Sequence, residues 1–169
     1  GLTRNYAANP HDVIHRVAQK TGAQAYVMPV PFFANSVEDR EVLLAQRGVR
    51  EVFELSARAT LKFVGIGTVD VGAQLVATGM IEPREIAEIT AVGGVGEMLG
   101  HFFDAQGRVL ETTLTARTLA VDLGSGQPEG RIVAIAGGAE KVDAIRAVLL
   151  SGRLKGLITD EITARALAG

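Results

Sequence analysis

A chain of 169 residues, 47% of them hydrophobic, is long enough for one compact core, and a formal charge of −2 excludes the strongly basic face that binding to a nucleic-acid backbone requires. Cysteine is absent, which excludes disulfide staples and thiol catalysis, and tryptophan is absent too, so the apolar surface comes mainly from Ala, Val, Leu and Ile. No apolar run approaches the ~18 residues of a membrane span, and Gly1-Leu2-Thr3-Arg4 lacks the layout of a signal peptide, so a soluble, cytoplasmic protein without membrane contact is expected.

In chain order, Asn9-Pro10 places a capping residue and a first-turn proline before apolar residues at helical spacing, predicting a helix that runs to Lys20 and ends at Thr21-Gly22. Ala25 to Val30 is short, apolar and interrupted by proline, which predicts a buried strand with Pro31 to Asn35 as its exit loop. Ser36 and Asp39 resemble a capping box for a helix through Ala45. A second helix is expected over Val49 to Ala59, and it leads into a strand from Leu61 that closes in the glycine-rich Gly65-Ile66-Gly67.

Glu82 to Ile89 carries proline and acidic residues at a helix start. Gly93 to Phe103, followed by Asp104 to Arg108 with Gly107 in the turn, predicts an antiparallel hairpin. Leu123 to Gly130 reads as an exposed loop. A strand over Arg131 to Ala136, a break at Gly137-Gly138, a helix over Lys141 to Leu150, a strand over Leu154 to Thr159 and a helix over Asp160 to Ala168 complete the chain. This alternation predicts an α/β fold, one domain over residues 1–169, with a mostly parallel sheet, helices on both faces and one hairpin. The chain opens without Met and on a helix rather than a strand, so it is expected to be the C-terminal part of a longer protein.

In such folds ligands gather beyond the carboxyl ends of the strands. Three places qualify: Gly65 to Thr68, Ala136 to Ala139 with Lys141 beyond, and Thr159-Asp160-Glu161. Gly137 and Gly138 would let backbone amides approach a phosphate, with Lys141 as a point charge; the same residues also suit a plain tight turn. Glu97 lies among Gly93, Gly94, Gly96 and Gly100, where a carboxylate either meets a polar ligand or faces solvent. His11 and His15 lie four apart on one helix face, but without cysteine or an obvious acidic third ligand they read as solvated histidines, so no metal or cofactor is expected. No Gly-x-Ser-x-Gly elbow or Ser/His/Asp set supports nucleophilic catalysis, and no catalytic residue is assigned.

Taken together, Gly1-Leu2-Thr3 with Asn9-Pro10, Gly65-Ile66-Gly67, Gly93 to Glu97, Gly100 with Phe102-Phe103-Asp104 and Gly107, Gly137-Gly138 with Lys141, and Leu157 to Asp160 with Thr163-Ala164 resemble the sugar-binding domain of SorC-family transcriptional regulators. The resemblance covers essentially the whole chain. It implies a Rossmann-like fold similar to sugar-phosphate isomerases and glucosamine-phosphate deaminases, a phosphorylated sugar effector, operator DNA bound through a helix-turn-helix head outside this chain, and a homodimer or homotetramer. It also implies that a preceding strand and Gly/Thr loop, resembling a main phosphate cradle, lie outside the chain. By the same resemblance Asn9, Glu97, Leu99 and Lys141 contact ligand, and Gly65, Gly67, Gly137 and Gly138 form the strand-end turns. The alternative reading is a sugar-phosphate isomerase-like enzyme of the same fold, using Glu97, Lys141 and Asp160.

Overall fold

The structure is a computed structural model that describes residues 13–70, 72–121, 123 and 131–169. Three helices open it: α1 (Val13–Thr21), α2 (Val37–Ala45) and α3 (Arg47–Ala57). Strand β1 (Leu61–Val64) passes into β2 (Gly67–Thr68), and two further helices follow, the one-turn α4 (Gln74–Ala77) and α5 (Pro83–Ala91). Strands β3 (Gly94–Met98), β4 (His101–Asp104) and β5 (Val109–Leu110) form a meander, after which come β6 (Arg131–Ile135), α6 (Val142–Leu150), β7 (Gly156–Ile158) and α7 (Glu161–Ala168). The fold is α/β, with a parallel sheet in the order β1-β6-β7 and an antiparallel sheet in the order β2-β3-β4-β5.

Local chemistry explains the helix starts. Ser36 caps α2 by accepting the Asp39 N–H, and Asp160 caps α7 by accepting the Thr163 N–H. At α5 the capping role falls to Glu82 and Glu85, whose side chains and backbone N–H groups bond reciprocally ahead of Pro83. The predicted start of α1 at Asn9-Pro10 lies outside the described residues, as does the loop 124–130.

Two expectations are corrected. Ala25 to Val30 is not a strand: the segment runs without ladder pairing, and Tyr26 and Val27 are half exposed. Pro29 and Pro31 lack the N–H donors a ladder needs, so pairing begins only beyond them, where Phe33 bridges Thr118 and the Ala34 N–H donates to the Arg117 carbonyl. The predicted hairpin is also only half of the arrangement. The turn at Gly107 joins β4 to β5, and a second turn, Leu99-Gly100, joins β3 to β4. Leu99 (φ 53°) and Gly100 (φ 78°) both adopt the left-handed conformation of a type I′ turn, which leucine seldom enters, so the sequence carries little sign of it.

The main core lies between the two sheets, with α6 as its centre. Val64, Ile132 and Ala134 project from the parallel sheet, Met98 and Phe103 from the antiparallel one, and Ala144, Ile145, Ala147 and Val148 of α6 fill the space between them. A second cluster joins α5, through Ile86 and Ile89, to Phe102 and Leu114. The opposite face of the parallel sheet differs. Leu61, Phe63, Ile135 and Ile158 share that face by register and are between 42% and 60% exposed.

Helix α6 approaches β3 unusually closely at Gly96, where a Cβ atom would come within 2.9 Å of the Ala144 carbonyl oxygen and 3.0 Å of its Cα. Neither is a flexible side-chain tip that could swing away. Gly96→Ala is therefore expected to lower unfolding free energy by about 2 kcal/mol. At Gly48, near the start of α3, a Cβ meets nothing within 4 Å, so Gly48→Ala is expected to raise stability by about 0.5 kcal/mol. Urea unfolding of both variants measures the contrast; equal effects would contradict the close packing of α6 on β3.

Candidate functional site

The strand ends bring most of the predicted residues into one region. β2 pairs with β3 so that Gly67 stands opposite Glu97, and the 3₁₀ turn Ala139–Lys141 lies against β2. A Cβ at Gly67 would come within 2.9 Å of the Glu97 Oε2 atom, so a larger residue here would displace the tip of the Glu97 side chain. Gly65 is exposed beside this pair and has open space around it. Leu99 stands in the turn just after Glu97 and packs partly against the main core. Asn9 lies outside the described residues.

Glu97 is the chemically unusual residue. It is only 6% exposed, and its Oε1 atom accepts the Gly100 N–H at 2.6 Å. Burial pushes its carboxyl pKa up to about 7, while the Gly100 hydrogen bond and the positive charge of Lys141 draw it back down. Lys141 and Glu97 therefore sense one another through space. The ion pairs among the described residues, Arg47–Glu51, Arg84–Glu82, Arg108–Asp104, Arg117–Glu85 and Arg165–Glu161, leave the Lys141 ammonium outside.

The glycine pair after β6 is built differently from a simple phosphate cradle. Gly138 has φ 118° and ψ 141°, a conformation that glycine adopts freely and other residues rarely do. Its N–H donates to the Thr163 Oγ1 atom at 2.9 Å, so this amide is already engaged inside the protein. Thr163 in turn donates its hydroxyl to Asp160 Oδ2 at 2.7 Å and its N–H to Oδ1 at 2.8 Å. These two bonds hold the Asp160 carboxyl below its ordinary range. A Cβ at Gly137 would collide with Asp160 Oδ2, which explains glycine there as well. Thr163 stands outside the ligand contacts expected from sequence, where the Asp-x-x-Thr spacing at a helix start is its one signal.

A cavity of about 1300 Å³ lies elsewhere, between the 27–35 segment and α5, bordered by Met28, Phe32, Ile81, Glu85 and Arg117. None of the predicted site residues that the structure describes lines it. We place the candidate site at Glu97 and Lys141 because a buried carboxylate facing Gly67 and bonded to the Gly100 N–H is harder to explain structurally than an open groove of mixed polar and apolar lining.

The comparisons with known proteins agree with this fold. Residues 1–168 match the family model described as "Putative sugar-binding domain". The erythritol catabolism regulatory protein EryD of Brucella abortus is 69% identical over 169 residues, covering 100% of this chain and 53% of EryD. The transcriptional regulator LsrR of Klebsiella pneumoniae is 35% identical over 144 residues, covering 83% of this chain and 45% of LsrR. The chain thus spans about half the length of these curated relatives. Among solved structures, a domain of a possible sugar-binding transcriptional regulator from Arthrobacter aurescens superposes with a TM-score of 0.82 at 25% identity, covering 94% of this chain and 60% of that one. Full-length SorC, the sorbitol operon regulator of Klebsiella pneumoniae, shares the fold with a TM-score of 0.81 at 19% identity, covering 92% of this chain and 50% of SorC.

The raised pKa of Glu97 has a defined consequence for stability. Between the ordinary glutamate value of 4.5 and about 7, the folded chain keeps a proton that the unfolded chain has lost. Stability contributed at this residue therefore falls as pH rises through that window and levels off above it, by on the order of 3 kcal/mol in total. Glu97→Gln, which cannot ionise, is expected to remove that slope. Urea unfolding at pH 5 and pH 8 checks this: the variant should gain on the parent protein as pH rises, and a pH-independent difference would contradict a buried, titrating Glu97. On these findings, the chain belongs to the sugar-binding domain family of SorC-type transcriptional regulators.

Proposed function

We propose that this chain is the effector-sensing domain of a bacterial transcriptional regulator and that it binds a phosphorylated sugar or related metabolite without transforming it. The observation that carries the reading is a buried carboxylate, Glu97, standing opposite Gly67 on β2, the strand against which the turn bearing Lys141 lies, in a chain 69% identical to a regulator of erythritol catabolism. Lys141 suits the anionic end of such a ligand, and Glu97 suits its hydroxyl groups. Gly65, Gly67 and Leu99 border the same region, with Asn9 as a further polar contact and Gly137-Gly138 carrying the loop to Lys141. No cofactor takes part. The name of the 69% identical relative makes erythritol and its phosphates the first ligands to test.

Occupancy acts by population shift: a ligand that prefers one conformation stabilises it by its differential affinity, and a DNA-binding head outside this chain reads the result at operator DNA. The assembly is a homodimer or homotetramer in the cytoplasm. Among the described residues, no helix is long and apolar enough to cross a membrane. Further polypeptide over the exposed face of β1, β6 and β7 fits this proposal, since parallel sheets are ordinarily covered on both faces.

The test is calorimetric titration of the full-length polypeptide with erythritol 4-phosphate and a panel of sugar phosphates, run beside an assay for product formation. Binding without turnover is expected. Lys141→Ala and Glu97→Ala should each weaken binding roughly 10- to 100-fold, the worth of one charge-assisted hydrogen bond, with folding retained. Unchanged affinity in both variants would remove the site assignment, and isomerisation of the ligand would favour an enzyme instead.

A further inference from the structure

The loop that carries Lys141 is tied at one point to an element it does not belong to. β6 ends at Ile135, and the Ala136 N–H continues its ladder by donating to the Ile158 carbonyl. Gly137 and Gly138 follow, then the 3₁₀ turn in which the Lys141 N–H donates to the Gly138 carbonyl, then α6. Gly138 is thus hydrogen-bonded on both sides, its carbonyl to Lys141 and its N–H to Thr163 on α7. Since the φ of Gly138 lies where a peptide is poorly constrained by sterics, the bond from Thr163 selects the conformation of this loop.

Each donor and acceptor in the chain of bonds is accounted for. The Thr163 hydroxyl accepts from the Gly138 N–H and donates to Asp160 Oδ2, while Asp160 Oδ1 takes the Thr163 N–H. Thr163 is 0% exposed, so no water competes for its hydroxyl. Gly137 packs directly against the same carboxylate. Asp160 is therefore more than a helix cap: it orients the one hydroxyl that anchors the Gly-Gly loop.

We propose that Asp160 and Thr163 are positioning residues for the effector site, acting together as a latch that fixes the Gly137-Gly138 loop and thereby holds the Lys141 ammonium within reach of Glu97 and of an anionic ligand. The proposal rests on the reading of Glu97 and Lys141 as the effector site, but the latch itself has consequences that need no ligand. Thr163→Val keeps the shape of the side chain and removes both hydroxyl bonds. Thr163→Ser keeps the hydroxyl and removes only a methyl group.

The experiment follows the Glu97 carboxyl by ¹³C NMR titration in the full-length polypeptide, for the parent protein, Thr163→Val, Thr163→Ser, Lys141→Met and the Thr163→Val/Lys141→Met double variant. Because the Lys141 charge lowers the Glu97 pKa, losing the latch should move the Glu97 titration upward toward its position in Lys141→Met. Thr163→Ser should restore it, and the double variant should move no further than Lys141→Met alone. In parallel, the dissociation constant for erythritol 4-phosphate should rise about tenfold in Thr163→Val and stay within about twofold of the parent in Thr163→Ser. A Thr163→Val protein that melts at a lower temperature yet leaves the Glu97 titration in place would reduce Thr163 to a structural role and end the proposal. If the parent protein itself fails to bind any sugar phosphate, the effector reading falls, while the titration series still decides the latch.

Discussion

The close contact between α6 and β3 is the constraint from which the rest of the arrangement follows. Two sheets can share one helix only if that helix is buried from more than one side, and α6 meets the condition with Ala144, Ile145, Ala147 and Val148, all essentially inaccessible. Burying the isoleucine and valine contributes about 1.5–3 kcal/mol each, and the two alanines keep the helix narrow enough to fit. Gly96 completes the fit from the strand side. Once α6 is fixed, so are its ends. Its N-terminal turn delivers Lys141 beside β2, and its C-terminal residues receive Gly107, whose Cβ position lies 2.5 Å from the Ser151 nitrogen.

Residues 97 to 100 concentrate the features that stability alone does not favour. A carboxylate with 6% exposure is costly unless it is protonated, paired or hydrogen-bonded, and Glu97 receives one backbone N–H and a distant positive charge. Two residues on, Leu99 sits in a left-handed conformation that disfavours a side chain such as leucine by about 1–2 kcal/mol. Asn or Gly would turn this corner with less strain. Strained and electrostatically awkward residues that persist together are characteristic of sites kept for what they bind.

Much of the architecture was legible because its signals are local. Apolar spacing placed α6, Pro83 with its acidic neighbours marked α5, and the glycines at 65, 137 and 138 marked the ends of β1 and β6, whereas Gly67, expected to close the first strand, opens β2. The failures arose where tertiary context decides. Ala25 to Val30 has the composition of a strand, but a strand exists only where a neighbour offers a free edge, and composition cannot report that neighbour. The Leu99-Gly100 turn carries half of the usual signal, because leucine occupies the position where Asn or Asp would have announced it. Glu97 could be singled out as a lone carboxylate among glycines, yet the choice between solvent and interior needed the Gly67 and Phe102 pairings on either side of it. Thr163 was recognisable only as part of a helix start, because its bond to Gly138 spans 25 residues.

On the proposed reading, the proton and the effector compete for one carboxylate. Burial raises the Glu97 pKa to about 7, so its carboxyl holds a proton to higher pH than an ordinary glutamate does. Hydroxyl groups of a sugar donate to the charged form and compensate for the lost hydration that raised the pKa. The ligand therefore favours the ionised site, and its phosphate brings to Lys141 a stronger partner than a distant glutamate. Both contacts exist only when the ligand is bound. The free energy available for a signal is then the difference in affinity between two states of this small polar region, which is the quantity a sensor needs and a rigid structural module lacks.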